Sequence, residues 1–172
     1  MEMRFCRRCG AGLEQINGHV YRCTAGHTIF ANAAPTVAVF FMVGDNKVML
    51  AVRAEEPHKG MLDAIGGFLD GQETIEAAAE RELREELGLE PHEYEPLRYL
   101  SSGTDIYPYG GEDIPFATAI YWSRLLTDRQ PQPADDVAAL QIEDLHSLDL
   151  TLLHTEDIRH GIRRLRELFP PS

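Results

Sequence analysis

Apolar and polar positions follow two different periods along this chain. Thr36-Val-Ala-Val-Phe-Phe-Met-Val43 is a nearly continuous apolar run and reads as a buried strand. Gly44-Asp45-Asn46 is a turn and Lys47 to Arg53 a second strand, so the two are expected to form a hairpin. A loop follows from Ala54 to Gly60, with Pro57 inside it. The period then changes. Ile75, Ala79, Leu83 and Leu87 recur at every fourth residue, the apolar stripe of a helix expected from about Glu73 to Leu87. Gly88 is placed to end that helix, and Asp70-Gly71 marks a turn in front of it. Strand-like runs follow at roughly Tyr94 to Gly103, Phe116 to Leu126 and Val137 to Ile142, and the Gly-, Pro- and Tyr-rich stretch Thr104 to Pro115 is expected as a loop. A last helix, His154 to Phe169, carries Ile158, Ile162, Leu165 and Leu168 on one face, and Pro170-Pro171 closes it. Helices and strands alternate irregularly, which predicts an α/β fold with a mixed sheet between helices rather than a doubly wound one.

The chain has 172 residues, enough for one domain with a real core plus a small appendage. Its net charge of −12 argues against a duplex nucleic acid partner, which needs a basic face. The same charge suits a site that carries its own metal, because the cation then neutralises substrate phosphates. Met1 to Cys9 is charged and has no apolar core of a signal peptide. The longest apolar run, Ala33 to Val43, is too short to span a membrane and contains Pro35. The expectation is a soluble cytoplasmic protein without a membrane partner. No internal repeat or low-complexity tract is visible.

The chemistry concentrates between residues 67 and 89. Glu82, Glu85 and Glu86 sit at i, i+3 and i+4, so on a helix their carboxylates share an arc of about 100°. Like charges that close repel one another, and a hard divalent cation such as Mg²⁺ resolves the repulsion. A solvated acidic helix would account for the carboxylates. It would not account for Gly67, Glu73, Arg81-Glu82, Glu85-Glu86 and Gly88 at these spacings. The segment resembles the Nudix hydrolase signature, G-x5-E-x7-R-E-U-x-E-E-x-G-U with U aliphatic, and meets every fixed position of it. The resemblance implies an α/β/α sandwich over residues 34–172, with its specific part in 53–89. Ile65 stands where the family usually has Pro before the Gly pair, and Leu62 stands near a common aromatic position.

The resemblance also implies a reaction: Mg²⁺- or Mn²⁺-dependent hydrolysis of a nucleoside diphosphate linked to another moiety, such as ADP-ribose or a dinucleotide. Glu82 and Glu86 are then the main metal ligands and Glu85 a third ligand or a base. Gly67, with Gly66, lets backbone approach the metal. Arg81 is expected to pair with Glu85, its i+4 neighbour. Asp135 or Asp136 is the candidate for a further acid, against the plainer reading of a solvated turn. The alternative function is a nucleotide-sensing regulatory module. Sensors need not keep the metal glutamates, and no helix-turn-helix or basic patch is visible. A Nudix-fold isomerase would need a cysteine in the catalytic domain, and residues 35–172 contain none. The motif S-Q-P-W-P-F-P-x-S of NAD(H)-cleaving members is absent. The corresponding stretch, Ser101 to Gly111, offers Tyr107 and Tyr109, which with Phe116 could stack on a base or pack the loop onto the sheet. A homodimer is compatible with this reading.

All three cysteines lie in the first 23 residues. An odd count in a reducing compartment disfavours disulfides. Cys6-Arg-Arg-Cys9 is a C-x2-C knuckle and Cys23-Thr-Ala-Gly-His27 a C-x3-H, an ordinary donor set for structural Zn²⁺. The segment 1–33 has too little apolar content to fold alone, so a metal would supply the missing free energy. It resembles the zinc ribbon in front of the catalytic domain in the NAD(H)-pyrophosphatase-like branch. That branch places its fourth ligand where Gly26 stands here, so His27 substitutes from one residue further on, with His19 a weaker candidate, or the ribbon is a metal-free remnant.

Overall fold

The computed structural model describes residues 3–171; Met1, Glu2 and Ser172, the outer ends of the two expected modules, lie outside them. In chain order the elements are β1 (Leu13–Asn17), β2 (Val20–Cys23), β3 (Thr28–Phe30), β4 (Ala34–Val43), β5 (Lys47–Arg53), β6 (Leu62–Asp63), α1 (Ile75–Leu87), β7 (Arg98–Tyr109), β8 (Glu112–Ser123), β9 (Val137–Asp144) and α2 (Glu156–Leu168). The first three strands form their own antiparallel sheet. The other six form a mixed sheet in the order β6-β5-β4-β8-β7, with β9 on the other edge of β5; β4 and β8 are parallel, the remaining pairs antiparallel.

The apolar run of β4 is continuous because both of its faces are covered. Val37, Val39 and Phe41 pack with Ala78, Ala79, Leu83 and Leu87 of α1. Ala38, Phe40 and Met42 pack with Ile158, Ile162 and Leu165 of α2. The result is the α/β/α sandwich with a mixed sheet. Close approach of α2 depends on Gly161, where a Cβ would lie 2.5 Å from the Phe40 ring. The Thr74 hydroxyl caps α1 by accepting from the Ala77 N–H at 3.2 Å, and Gly88 ends the helix at a φ of +63°. Ile75, expected on the buried stripe, is instead 37% exposed, because the burial of α1 begins a turn later at Ala78.

The largest correction concerns residues 104–115. They are the inner halves of β7 and β8, a hairpin closed by Gly110-Gly111 at φ +61° and +82°. Its prolines suggested a loop, but neither interrupts a double ladder. Pro108 lies on the edge strand β7, and Pro115 precedes Phe116, where the pairing of β8 with β4 begins. The strand expected from Tyr94 starts only at Arg98, after a 3₁₀ turn at Pro91–Glu93. Both helices are two residues shorter at the start than expected, and β8 stops at Ser123 rather than Leu126. No helix of the described residues is long and apolar enough to cross a membrane.

Candidate active site

The site begins with a divergence in the sheet. β4 pairs with β5 only over Phe41–Val43 and Lys47–Met49. The strands then part, and residues 62–68 fill the gap as a wedge. On one side Leu62 and Asp63 pair with Val52 and Ala51 of β5. On the other, Ile65 exchanges backbone hydrogen bonds with Val39, and the Val37 N–H donates to the Gly67 carbonyl at 2.9 Å. The Ile65 N–H donates to Val39 at 3.1 Å, a bond that proline at this position could not make.

The glycine pair is required twice over. Gly66 has a φ of +147°, and a Cβ there would stand 2.1 Å from the Val37 carbonyl oxygen. A Cβ on Gly67 would stand 2.6 Å from Glu82 Oε1. The wedge therefore lies directly against the carboxylates of α1, and the Gly66 N–H donates to Glu86 Oε2 at 3.1 Å.

Glu82 and Glu86 are buried, whereas Glu85 is exposed. Arg81 ties the others together. Its guanidinium donates to Glu73 (2.8 Å), Glu82 (2.8 Å), Glu85 (3.0 Å) and the Phe68 carbonyl (3.0 Å). Glu73 in turn accepts from the Asp70 N–H at 2.6 Å, fixing the loop before the helix. Burial raises the pKa of Glu82, with Arg81 opposing the shift. Glu86 is pushed up to about 9, first by burial, then by the charge of Glu82 and also by Asp63 and Asp136. A buried carboxylate beside like charges is costly unless a cation joins it. The donor set of Glu82 and Glu86, with glycine backbone in contact, suits a hard divalent ion.

Sequence reasoning singled out Asp135 and Asp136 together, and the structure separates them. Asp136 faces the cavity and acts on Glu86, whereas Asp135 occupies a left-handed turn at φ +51°. Asp63 was missed. It sits in the wedge, bonded to Arg53 at 2.9 Å. The only signal was its place among the residues just before the glycine pair, where nothing local marks one acid above its neighbours.

Between the wedge and α2 lies a cavity of ≈ 120 Å³, bounded by Gly66, Gly67, Asp63, Arg53 and His154 and reaching inward to Thr36, Thr118 and Asp157. Beside it is an aromatic cleft. Tyr107 stacks on Tyr109 with centroids 6.3 Å apart, and Phe68 meets Tyr107 edge-on at 5.7 Å. Arg53 holds the Tyr107 hydroxyl at 3.3 Å. Phe116 is buried, its ring edge-on to Phe68, so it packs the cleft from below.

The second cluster is in the small sheet. Cys6 Sγ lies 3.6 Å from His27 Nδ1, Cys9 Sγ lies 3.7 Å from Cys23 Sγ, and the ligating atoms of all four residues fall within 4.8 Å of one another. Both knuckles are tight turns: the Gly10 N–H returns to the Cys6 carbonyl at 2.8 Å and the Gly26 N–H to Cys23 at 2.9 Å. Gly26, at φ +81°, makes the turn, and His27 follows it into the cluster. The Cys6 thiol is lowered to about 6, chiefly by the Arg8 backbone N–H, with further help from Cys9 and His27. Three cysteine sulfurs and an imidazole nitrogen at this spacing suit Zn²⁺. His19 is elsewhere, against the Phe30 ring at 6.0 Å.

Residues 33–165 match the NUDIX domain family model. Over 158 residues the chain is 25% identical to the NAD-capped RNA hydrolase NudC of Stutzerimonas stutzeri, covering 84% of this chain and 50% of that protein. Over 58 residues it is 45% identical to the ADP-ribose pyrophosphatase of Methanocaldococcus jannaschii, covering 33% of this chain and 34% of that one. The chain thus spans half or less of the length of these relatives. Among solved structures, a NUDIX hydrolase from Nitrosomonas europaea superposes with a TM-score of 0.66 at 21% identity, covering 96% of this chain and 91% of that one.

Proposed function

The chain belongs to the NUDIX domain family, and on that premise we propose that it hydrolyses the diphosphate bond of a nucleoside diphosphate linked to another moiety, with Mg²⁺ or Mn²⁺. The observation that carries this reading is the burial of Glu82 and Glu86 against the Gly66-Gly67 wedge, with Asp63 and Asp136 close enough to act on Glu86. A divalent ion held there would neutralise phosphate oxygens and generate hydroxide from water near neutral pH. Glu82 and Glu86 hold it, and Gly67 allows backbone to come near. Arg81 positions the carboxylates rather than touching substrate, since its donors are spent on Glu73, Glu82, Glu85 and Phe68. Glu85 faces solvent beside Arg81 and would serve as a third metal ligand or as a base.

Residues 34–172 serve as the hydrolase domain and 1–33 as a zinc-ribbon-like module with Zn²⁺ on Cys6, Cys9, Cys23 and His27. Purified protein is expected to carry about one Zn²⁺ per chain. Chelation is expected to lower its melting temperature, because the buried side chains of this sheet are few: Cys6, Tyr21, Cys23 and Ile29. Elemental analysis before and after chelation, with melting curves, decides it. Absence of zinc with an unchanged melting temperature would mean a metal-free remnant.

The metal site reads only the diphosphate, which all candidates share, so selectivity has to come from the cavity and the aromatic cleft. The stacked pair Tyr107 and Tyr109 tolerates different bases. Because Ser101 to Gly111 lacks the tryptophan- and proline-rich motif of NAD(H)-cleaving members, NADH is expected not to be the best substrate, with ADP-ribose or a dinucleoside polyphosphate cleaved faster. Comparing kcat/KM for NADH, ADP-ribose, diadenosine polyphosphates and an NAD-capped RNA at one Mg²⁺ concentration tests both the activity and the ranking. A value for NADH more than ~10-fold above the rest, about 1.4 kcal/mol of selective binding, would overturn the ranking. No metal-dependent turnover on any of them would favour a nucleotide-sensing module instead.

A further inference from the structure

We propose that the inner end of the cavity is a recognition subsite for a planar group bearing N–H donors, the amine of a base or a carboxamide, read by Asp157 and Thr36. It rests on the reading above only in assuming that the diphosphate lies at the wedge onto which the cavity opens.

The subsite is built by three elements. The parallel register of β4 and β8 sets Thr36 beside Thr118, both on the face covered by α2. Asp157 lies in the first turn of α2 and is 3% exposed. It comes this close to the sheet because residue 103 on β7 is glycine: a Cβ there would stand 2.5 Å from the Asp157 Cβ.

Proton counting then decides what the subsite takes. The Thr118 hydroxyl donates to Asp157 Oδ2 at 2.6 Å. With that proton committed, the 2.7 Å contact between Thr36 and Thr118 has Thr36 as donor. Both hydroxyl protons therefore run toward Asp157, and Thr36 keeps only lone pairs. Asp157 Oδ1 is buried and has no hydrogen-bond partner among the described residues. Thr155 Oγ1 and both ring nitrogens of His154 are unpartnered in the same sense; His154 Nδ1 lies 3.1 Å from Asp63 Oδ2 but is poorly aligned for a hydrogen bond. Thr155 and His154 can donate or accept. Asp157, as a carboxylate, and Thr36 can only accept. A buried acceptor left facing another acceptor loses its hydrogen bond and keeps its desolvation cost. A ligand must meet these acceptors with N–H groups, and Ala38, Ile158 and Phe116 give it apolar walls.

The test uses pairs of mononucleotides that differ only in this chemistry, so it does not depend on turnover. AMP is compared with purine riboside 5′-monophosphate, in which the amine is replaced by hydrogen. NMN is compared with nicotinic acid mononucleotide, in which the carboxamide becomes a carboxylate. Affinities are measured by titration calorimetry on the full chain with its metals, alongside kcat/KM for the corresponding ADP-ribose and NADH pairs. The amino member of at least one pair is expected to bind about 10-fold more tightly, and which pair responds identifies the group. Asp157→Asn keeps the Thr118 bond but turns Oδ1 into a donor, and is expected to abolish or invert that preference. Thr36→Val removes one acceptor at constant shape and is expected to reduce it; it carries the test if Asp157→Asn does not fold. Members of both pairs binding within ~2-fold of each other, or a preference untouched by both substitutions, would overturn the subsite. Selective binding without turnover would keep the subsite and remove the hydrolase reading, and turnover without selectivity would do the reverse.

Discussion

Glu86→Gln is expected to lower kcat by at least ~100-fold without destabilising the metal-free protein. The two halves of this result have one cause. Glu86 is buried, accepts one N–H from Gly66, and is crowded by Glu82, Asp63 and Asp136. Its negative charge is a burden to the apo fold and, in the proposed site, an asset once a cation is bound, so removing it withdraws a proposed metal ligand without withdrawing a packing contact. The sign in pH follows. The carboxyl pKa is raised from 4.5 to about 9, so the folded state holds this proton more tightly than the unfolded chain. The stability this brings is present below pH 4.5 and is lost as pH rises through about 9. Glutamine has no proton to lose. After chelation the variant should therefore gain melting temperature on the wild type across that window. A variant with near wild-type turnover would remove the metal-ligand assignment, and one that melts well below the wild type after chelation at pH 8 would remove the electrostatic one.

Gly66→Ala is expected to cost stability as well as activity. The residue holds a φ of +147°, which an L side chain rarely adopts, and all three atoms its Cβ would meet are backbone: Val37 O at 2.1 Å, Val37 C at 2.9 Å and Ala38 Cα at 3.0 Å. Strain of this kind costs about 1–3 kcal/mol and displacement of a packed central strand a similar amount. A loss of ~3–5 kcal/mol lowers the melting temperature by roughly 10 °C in a domain of this size. Gly67→Ala makes the contrast. Its Cβ would meet the carboxylate of Glu82, the end of a side chain that can turn aside. It should keep most of its stability and lose activity, because the carboxylate that moves is one of the two proposed metal ligands. Melting curves and turnover for the two variants separate these roles. A Gly66→Ala protein melting within ~2 °C of the wild type would mean that the wedge can leave β4 at little cost.

The parts of the site legible in the sequence are those whose causes are local. The four-residue recurrence of Leu83 and Leu87 places α1, and with it the carboxylates at i, i+3 and i+4, because helical geometry relates neighbours a few residues apart. Gly88 marks its end for the same reason. The apolar run of β4 announces a strand buried on both faces. Cys6, Cys9, Cys23 and His27 are visible as a candidate donor set through short turns that bring each half together. The prolines of β7 and β8 misled because a strand edge differs from a loop only by what lies beside it. No local pattern shows that β4 and β5 diverge, or that residues 62–68 enter between them carrying Asp63 to Glu86.

The sequence alone determined the strands β4 and β5, the two helices and the family signature, each encoded within a short stretch of chain. Tertiary structure decided that two of the three glutamates are buried, that Arg81 is occupied by Glu73 and Glu82 as well as Glu85, and that Asp136 rather than Asp135 joins the site. It also brought Thr36 to Thr118 across 82 residues and Thr118 to Asp157 across 39. Periodicity relates only residues that are near in sequence. Which side chains meet across a sheet is set by strand register and by the packing of a helix onto it, and those depend on the whole core at once.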